Sequence, residues 1–202
     1  MSDIDQVLSF WLEPKPDTEE ALAARYQYWF YGGEPVDREV RARFATLVER
    51  ARRGELDDWT STPRGTLALI ILIDQFCRNL YRGTPDAFSH DGKALALARA
   101  GFDDGRFAAL DELDRLFAAM PFRHAEDIEA QKRGVDLAVK DALSGRPAWR
   151  KMLIESVDYA RKHLDVIVRL GRFPGRNAAL RRATTAQEQE YFEYLKLAGQ
   201  WL

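Results

Sequence analysis

Apolar residues recur at helical spacing along nearly the whole chain, and no stretch alternates between apolar and polar in the manner of a half-buried strand. Ile4 to Leu12 reads as a short amphipathic opener that ends before Pro14. Thr18 to Phe30 follows, with Tyr26, Trp29 and Phe30 at helical spacing, and stops at Gly32-Gly33. Val36 to Arg53 is a longer surface helix with Val40, Phe44, Leu47 and Val48 as its buried stripe, closed by Gly54. Thr62-Pro63 supplies an N-cap and a proline at the first helical position, launching an apolar helix to Tyr81 that Gly83-Thr84-Pro85-Asp86 terminates. Shorter helices run over 92–100 and 110–119. Pro121 is expected to break the chain before a helix from Ala125 to Leu143. Ala148 to Leu170 is the longest segment and ends at Gly171. Thr185 and Glu188 form a capping box for the last helix, through Phe192, Leu195 and Trp201. The pattern predicts an all-α fold: one domain over residues 1–202, built of about eight helices. No tetratricopeptide signature spacing is legible.

Composition changes this picture little. At 202 residues the chain can build one substantial core. Thirty basic residues against thirty-two acidic leave a formal charge of −2, with no bias toward nucleic acid or an anionic membrane. No apolar run approaches the roughly 20 residues that span a bilayer. The N-terminal Met1-Ser2-Asp3-Ile4-Asp5 is acidic where a secretory signal is basic. The lone Cys77 sits in the apolar helix, which suits a reducing compartment and an inert core thiol. Cytoplasm is the expected location.

Chemistry concentrates where the apolar helix turns polar. Leu67 to Ile73 is apolar without interruption, as in a helix buried on every side, and it runs directly into Asp74, Gln75, Arg78, Asn79 and Arg82. At about 100° per residue, Asp74, Arg78 and Arg82 fall near 0°, 40° and 80°, with Gln75 and Asn79 at about 100° and 140°, so the five share one face. Asp74 and Arg78 are i,i+4 partners. Such groups enter an interior only when paired with one another or when they bind something.

Three further signals accompany this face. His124 and Glu126 follow Pro121-Phe122-Arg123 and are expected at a helix start, where an imidazole beside a carboxylate is suited to acid–base chemistry and Glu126 or Asp127 could equally be a cap. His163 falls inside the apolar stripe of its helix, the position of a satisfied core histidine or of a ligand contact. Arg172 and Arg176, on a loop stiffened by Pro174, could clamp a carboxylate or phosphate, or merely offset a helix end.

Taken in order, these residues resemble the bacterial family catalogued as domain of unknown function 924. The shared pattern runs from Phe10-Trp11 and Trp29-Phe30 through Asp74-Gln75-Phe76, Arg78-Asn79 and Arg82. It continues with Asp91, Pro121-Phe122, His124, Glu126 and Gln131, and closes on His163, Gly171-Arg172-Phe173-Pro174, Arg176-Asn177, Arg182 and Thr185. Three positions depart from it: Cys77 stands where the family usually has proline, Gly175 where it often has histidine, and Arg181 where glycine is common. The resemblance implies a helical fold of tetratricopeptide-like helix pairs and a set of marked residues, with no established reaction.

Two functions compete. In the first, Gln75, Arg78, Asn79, Arg82, Gln131, His163, Arg172, Arg176 and Asn177 surround a small anionic molecule, and His124 moves a proton with Asp74 or Glu126 orienting it. In the second, helix pairs form a groove for an acidic peptide, with Trp11, Trp29 or Trp59 as exposed anchors. A metal at His124, Glu126 and His163 is disfavoured by the neighbouring arginines and by the lack of tight ligand spacing. Neither glycine-rich phosphate loop occurs, and no cofactor, nucleic acid or membrane partner is expected. Nothing in the sequence fixes an oligomeric state.

Overall fold

The computed structural model describes residues 1–197, and every regular element among them is helical. Trp201, expected at the end of the last helix, lies outside the described residues. The chain opens with α1 (Asp3–Leu12), α2 (Glu19–Tyr31) and α3 (Gly33–Arg52). Ser2 and Asp5 cap α1 reciprocally, and Thr18 Oγ1 accepts from the Ala21 N–H to start α2.

The apolar helix is the axis of the molecule. It consists of α4 (Pro63–Ile70), a π-helical segment (Ile71–Phe76) and α5 (Cys77–Leu80), forming one rod over residues 63–80. Thr62 caps it by accepting from the Gly65 N–H at 3.0 Å, and Arg41 donates to the Leu80 carbonyl at its far end at 2.7 Å. Leu67 through Ile73 are wholly excluded from solvent, and each large aliphatic side chain so buried contributes about 1.5–3 kcal/mol. The rod packs on α1 and α3 on one side and on α6 (Asp91–Asp103) and α7 (Glu112–Ala118) on the other. Aromatic rings fill the gaps: Phe10 meets Phe44 at 5.0 Å, Trp11 meets Phe76 at 5.1 Å, and Trp29 meets Phe117 at 4.9 Å between ring centroids.

The second half corrects one expectation. Pro121 does not break the chain; it lies in the first turn of a short helix, α8 (Met120–His124), where its missing N–H costs nothing. The break comes afterwards, at 125–127, and Asp127 caps α9 (Ile128–Ser144) by accepting from the Ala130 N–H at 2.7 Å. His124 therefore ends a helix instead of starting one, and Glu126 sits in the connection between two.

From there α9 and α10 (Arg150–Leu170) fold back on each other, packed through the small residues Ala138 and Ala160 with Val157. Gly171 ends α10 in the left-handed conformation, φ 71°, that a helix-terminating glycine adopts at no steric cost. The chain then crosses back over α8, and α11 (Ala186–Leu197) follows, held by the reciprocal Thr185–Glu188 cap. No helix among the described residues is long and apolar enough to cross a membrane.

Candidate functional site

Asp74 is a carboxylate with no exposed surface. Its Oδ1 accepts from Arg78 Nη1 at 3.0 Å and from His124 Nδ1 at 2.7 Å, and its Oδ2 accepts from Gln75 Nε2 at 2.6 Å. Burial alone would raise its pKa, but Arg78 and His124 outweigh burial and hold the carboxyl well below its ordinary range. Asp74 is therefore ionised and can only accept, which fixes the His124 tautomer with its proton on Nδ1. Burial and the Arg78 charge push the His124 pKa down, so the ring is neutral. Its Nε2 carries a lone pair and bonds no described residue.

The π-helical segment makes this contact. Asp74 and Gln75 lie in a turn one residue wider than an α-turn, which resets the register between the apolar part of the rod and its polar end. The single polar face expected from an ideal helix divides in two, because Arg78 and Asn79 stand about 100° apart and meet carboxylates on different helices. Arg78 stays with Asp74 and also donates to Asp91 at 3.0 Å. Asn79 and Arg82, beyond the π turn, instead share Asp37 of α3, at 2.8 Å for Asn79 and at 2.7 and 2.8 Å for Arg82.

The arrangement corrects the expected convergence of the other site residues. Arg176 does reach the centre: it donates to Asp91 at 3.1 Å and to the His124 carbonyl at 2.8 Å, between the rings of Phe88 and Phe173. Glu126 is not the partner of His124. It accepts from Arg182 at 2.7 and 3.0 Å and from the Phe173 N–H at 2.8 Å, tying the 171–177 loop to the α8–α9 connection. Arg172 and Asn177 both bond Glu188 of α11, so Arg172 and Arg176 face different carboxylates and form no common clamp. Gln131 donates to the carbonyls of Arg123 and Ala125, closing the end of α8. Asn79, Arg82, Gln131, Glu126, Arg172 and Asn177 are thus engaged in holding helices together.

What lies open is a cavity of about 530 Å³ that His124 helps to line, walled by α2, α7, α8 and α10. The stretch Met152, Ser156, Tyr159 and His163 supplies one wall, a spacing that keeps all four within about 60° of arc on α10. Tyr26, Phe30 and Tyr31 supply another from the end of α2, and the Tyr31 and Tyr159 hydroxyls meet at 3.4 Å. His163 donates from Nδ1 to the Tyr159 carbonyl at 2.8 Å, and burial lowers its pKa to about 4, so this ring is also neutral. A second cavity of about 520 Å³, between α10, the loop and α11, shares His163 as a wall and includes Arg176 and Gly175.

The residue the sequence reading passed over is Arg123. It is 6% exposed and lines the cavity beside His124, yet it has no carboxylate partner within ion-pair distance among the described residues. Its one side-chain hydrogen bond there is a long one, 3.4 Å, to Ser156 Oγ, and its buried Nε has no partner at all. Asp141, whose charge it feels, is taken by Arg115 at 2.8 Å. Desolvation accordingly lowers the Arg123 pKa to about 10, still charged at neutral pH. By contrast, Arg78 and Arg176 are balanced by Asp74 and Asp91, and Arg182 by Glu126. Arg123 stands in the quoted Pro121-Phe122-Arg123-His124 run; nothing in a single sequence tells that its charge is left uncompensated.

Trp11 and Trp29, which a peptide groove would present as anchors, are 1% and 7% exposed and belong to the core. Among the described residues no group of three or more His, Cys, Asp or Glu side chains could hold a metal ion.

The family model for bacterial protein of unknown function DUF924 matches residues 7–195. The chain is also similar to the solved structure of a protein of unknown function from Agrobacterium tumefaciens, with 34% identity and a TM-score of 0.77 over 95% of this chain and 97% of that one. No curated protein matches it.

Proposed function

The chain belongs to the DUF924 family, and within that family we propose that it binds a small anionic molecule, bearing a carboxylate or phosphate, in the cavity between α2, α8 and α10. The observation that carries this reading is the uncompensated Arg123 guanidinium on the cavity wall. An isolated buried charge is among the costliest features a fold can contain, and it persists where a ligand supplies the missing counter-charge. The pocket is anchored by one arginine, while the arginines of the surrounding network position the helices. Beside it, His124 presents the free Nε2 of a ring whose other nitrogen is held by an ionised aspartate. This pairing suits a base that takes a proton from a bound molecule, with Asp74 stabilising the imidazolium that results.

The test is thermal denaturation of the wild type and of Arg123→Met against a panel of carboxylates and phosphates. A ligand at about 100 times its Kd stabilises the native state by about 2.7 kcal/mol, which for a chain of this size raises Tm by roughly 5–10 °C. Arg123→Met should lose that response. Without ligand it should melt higher than the wild type, because an unpaired buried charge has been replaced by an apolar side chain of similar length. A ligand-free variant that melts lower, with no anion shifting either protein, would make Arg123 a structural residue and overturn the reading.

A further inference from the structure

Resting on Arg123 as an anion anchor, we infer that the ligand is a monocarboxylate carrying an apolar or aromatic body, and not a phosphate or a dicarboxylate. Charge is the first reason. The cavity offers one unmatched positive charge, and its two histidines are neutral, each with a ring nitrogen already bonded to Asp74 or to the Tyr159 carbonyl. A single negative charge brings the site to neutrality. A second would have no cation on the cavity wall to meet it, since Arg78 and Arg176 are already held by Asp74 and Asp91.

Geometry is the second reason. Phosphate sites are usually built from free backbone N–H groups at helix N-termini or in glycine-rich turns. Here the main wall is the flank of α10, where Ser156, Tyr159 and His163 lie past the first turn with their N–H groups directed at carbonyls of the same helix. The α8 end that carries Arg123 and His124 is a C-terminus, presenting carbonyls. The guanidinium is the one charged donor among the lining residues, and its planar fork, which takes either anion, has no backbone N–H cradle beside it to favour a phosphate.

Shape is the third. A carboxylate fills only a small part of about 530 Å³, a volume within the range of pockets that enclose drug-sized molecules. Besides Arg123 and the histidines, the space is bounded by Leu116, Met120 and Met152 and by the rings of Tyr26, Phe30 and Tyr159. Apolar and aromatic surface of this kind holds a ring or a branched alkyl group, and the methionines adapt to its outline.

The experiment measures binding by calorimetry and thermal shift with six probes: phenylacetate, 3-phenylpropionate, phenylacetamide, acetate, succinate and inorganic phosphate. Phenylacetate and 3-phenylpropionate should bind the wild type and lose affinity by about tenfold or more in both Arg123→Met and Arg123→Gln. Two variants of different polarity, each checked for native helicity by circular dichroism, separate loss of the anchor from loss of fold. Phenylacetamide, which keeps the ring and lacks the charge, and acetate, which keeps the charge and lacks the ring, should each bind about tenfold more weakly or worse. Phosphate or succinate binding through Arg123 at least as tightly as the phenyl acids would overturn the monocarboxylate class while leaving an anion site. If none of the six binds in an Arg123-dependent way, the anion reading falls with it.

Discussion

Residue by residue, the environment decides what each ionisable group does. His163 is a direct case. Its ordinary pKa of 6.5 is lowered to about 4, chiefly by burial. A histidine depressed on folding binds fewer protons in the native than in the unfolded state between those two values. Its contribution to stability is therefore present above about pH 6.5 and is lost as pH falls toward 4. In His163→Asn, which can still donate to the Tyr159 carbonyl, the urea midpoint should fall less between pH 7 and pH 4.5 than it does in the wild type. Equal falls in the two proteins would mean that His163 is not held neutral. Cys77 behaves as its position predicts: burial pushes its thiol up to about 12 and leaves it unreactive. Arg181, at a position where the resembled family commonly has glycine, adopts a left-handed φ of 54°, the conformation that favours glycine.

At the level of the element, the rod over 63–80 carries both core and site, and its start is as constrained as its middle. Thr62 caps it, and Gly65 lets the preceding turn approach: a Cβ built there would stand 2.2 Å from the Trp59 carbonyl oxygen. Gly65→Ala should destabilise the protein by about 1–3 kcal/mol, as overpacking does. Thermal denaturation should show this as a loss of roughly 2–4 °C for each kcal/mol; an unchanged Tm would mean that the turn relaxes freely. The π segment is the element that no periodicity announced. Its sequence, Ile71-Leu72-Ile73-Asp74-Gln75-Phe76, is as compatible with an α-helix, and the one bond it makes to another helix through a side chain runs from Asp74 to His124 of α8.

Across the whole molecule, two unequal cores follow from the packing. The rod, α1, α3 and α7 share one large aromatic-rich cluster that also takes in Ala130 and Leu137 of α9 and Met152 and Leu153 of α10, whereas farther along the α9–α10 pair a small one holds three buried residues, Ala138, Val157 and Ala160. Amides of 67–76 should consequently exchange with deuterium most slowly, near the global unfolding free energy, while those of α11 and the distal half of α10 exchange by local opening. Hydrogen exchange followed by mass spectrometry checks this; uniform protection across both halves would contradict it. The cavity lies between the two parts, so a bound ligand should slow exchange in the α10 wall more than in the rod.

How much of this was legible divides along physical lines. The helical fold was readable because it rests on local rules: the spacing of Val40, Phe44 and Val48, the caps at Thr62 and Thr185, and the stop at Gly171 are each decided by a few neighbouring residues. Pro121 misled because proline is a breaker in a helix interior and a starter in a first turn, and sequence alone did not tell which applied. The pairing of Asp74 with Arg78 was visible as an i,i+4 relation. The bond from Asp74 to His124, fifty residues away, was not. The chain by itself determined that it is all-α and that the apolar helix would carry polar groups such as Asp74 and Gln75 into the interior. Only the tertiary structure decided which charges neutralise one another and that Arg123 has no carboxylate partner among the described residues, because charge compensation depends on distances between helices that no local pattern encodes.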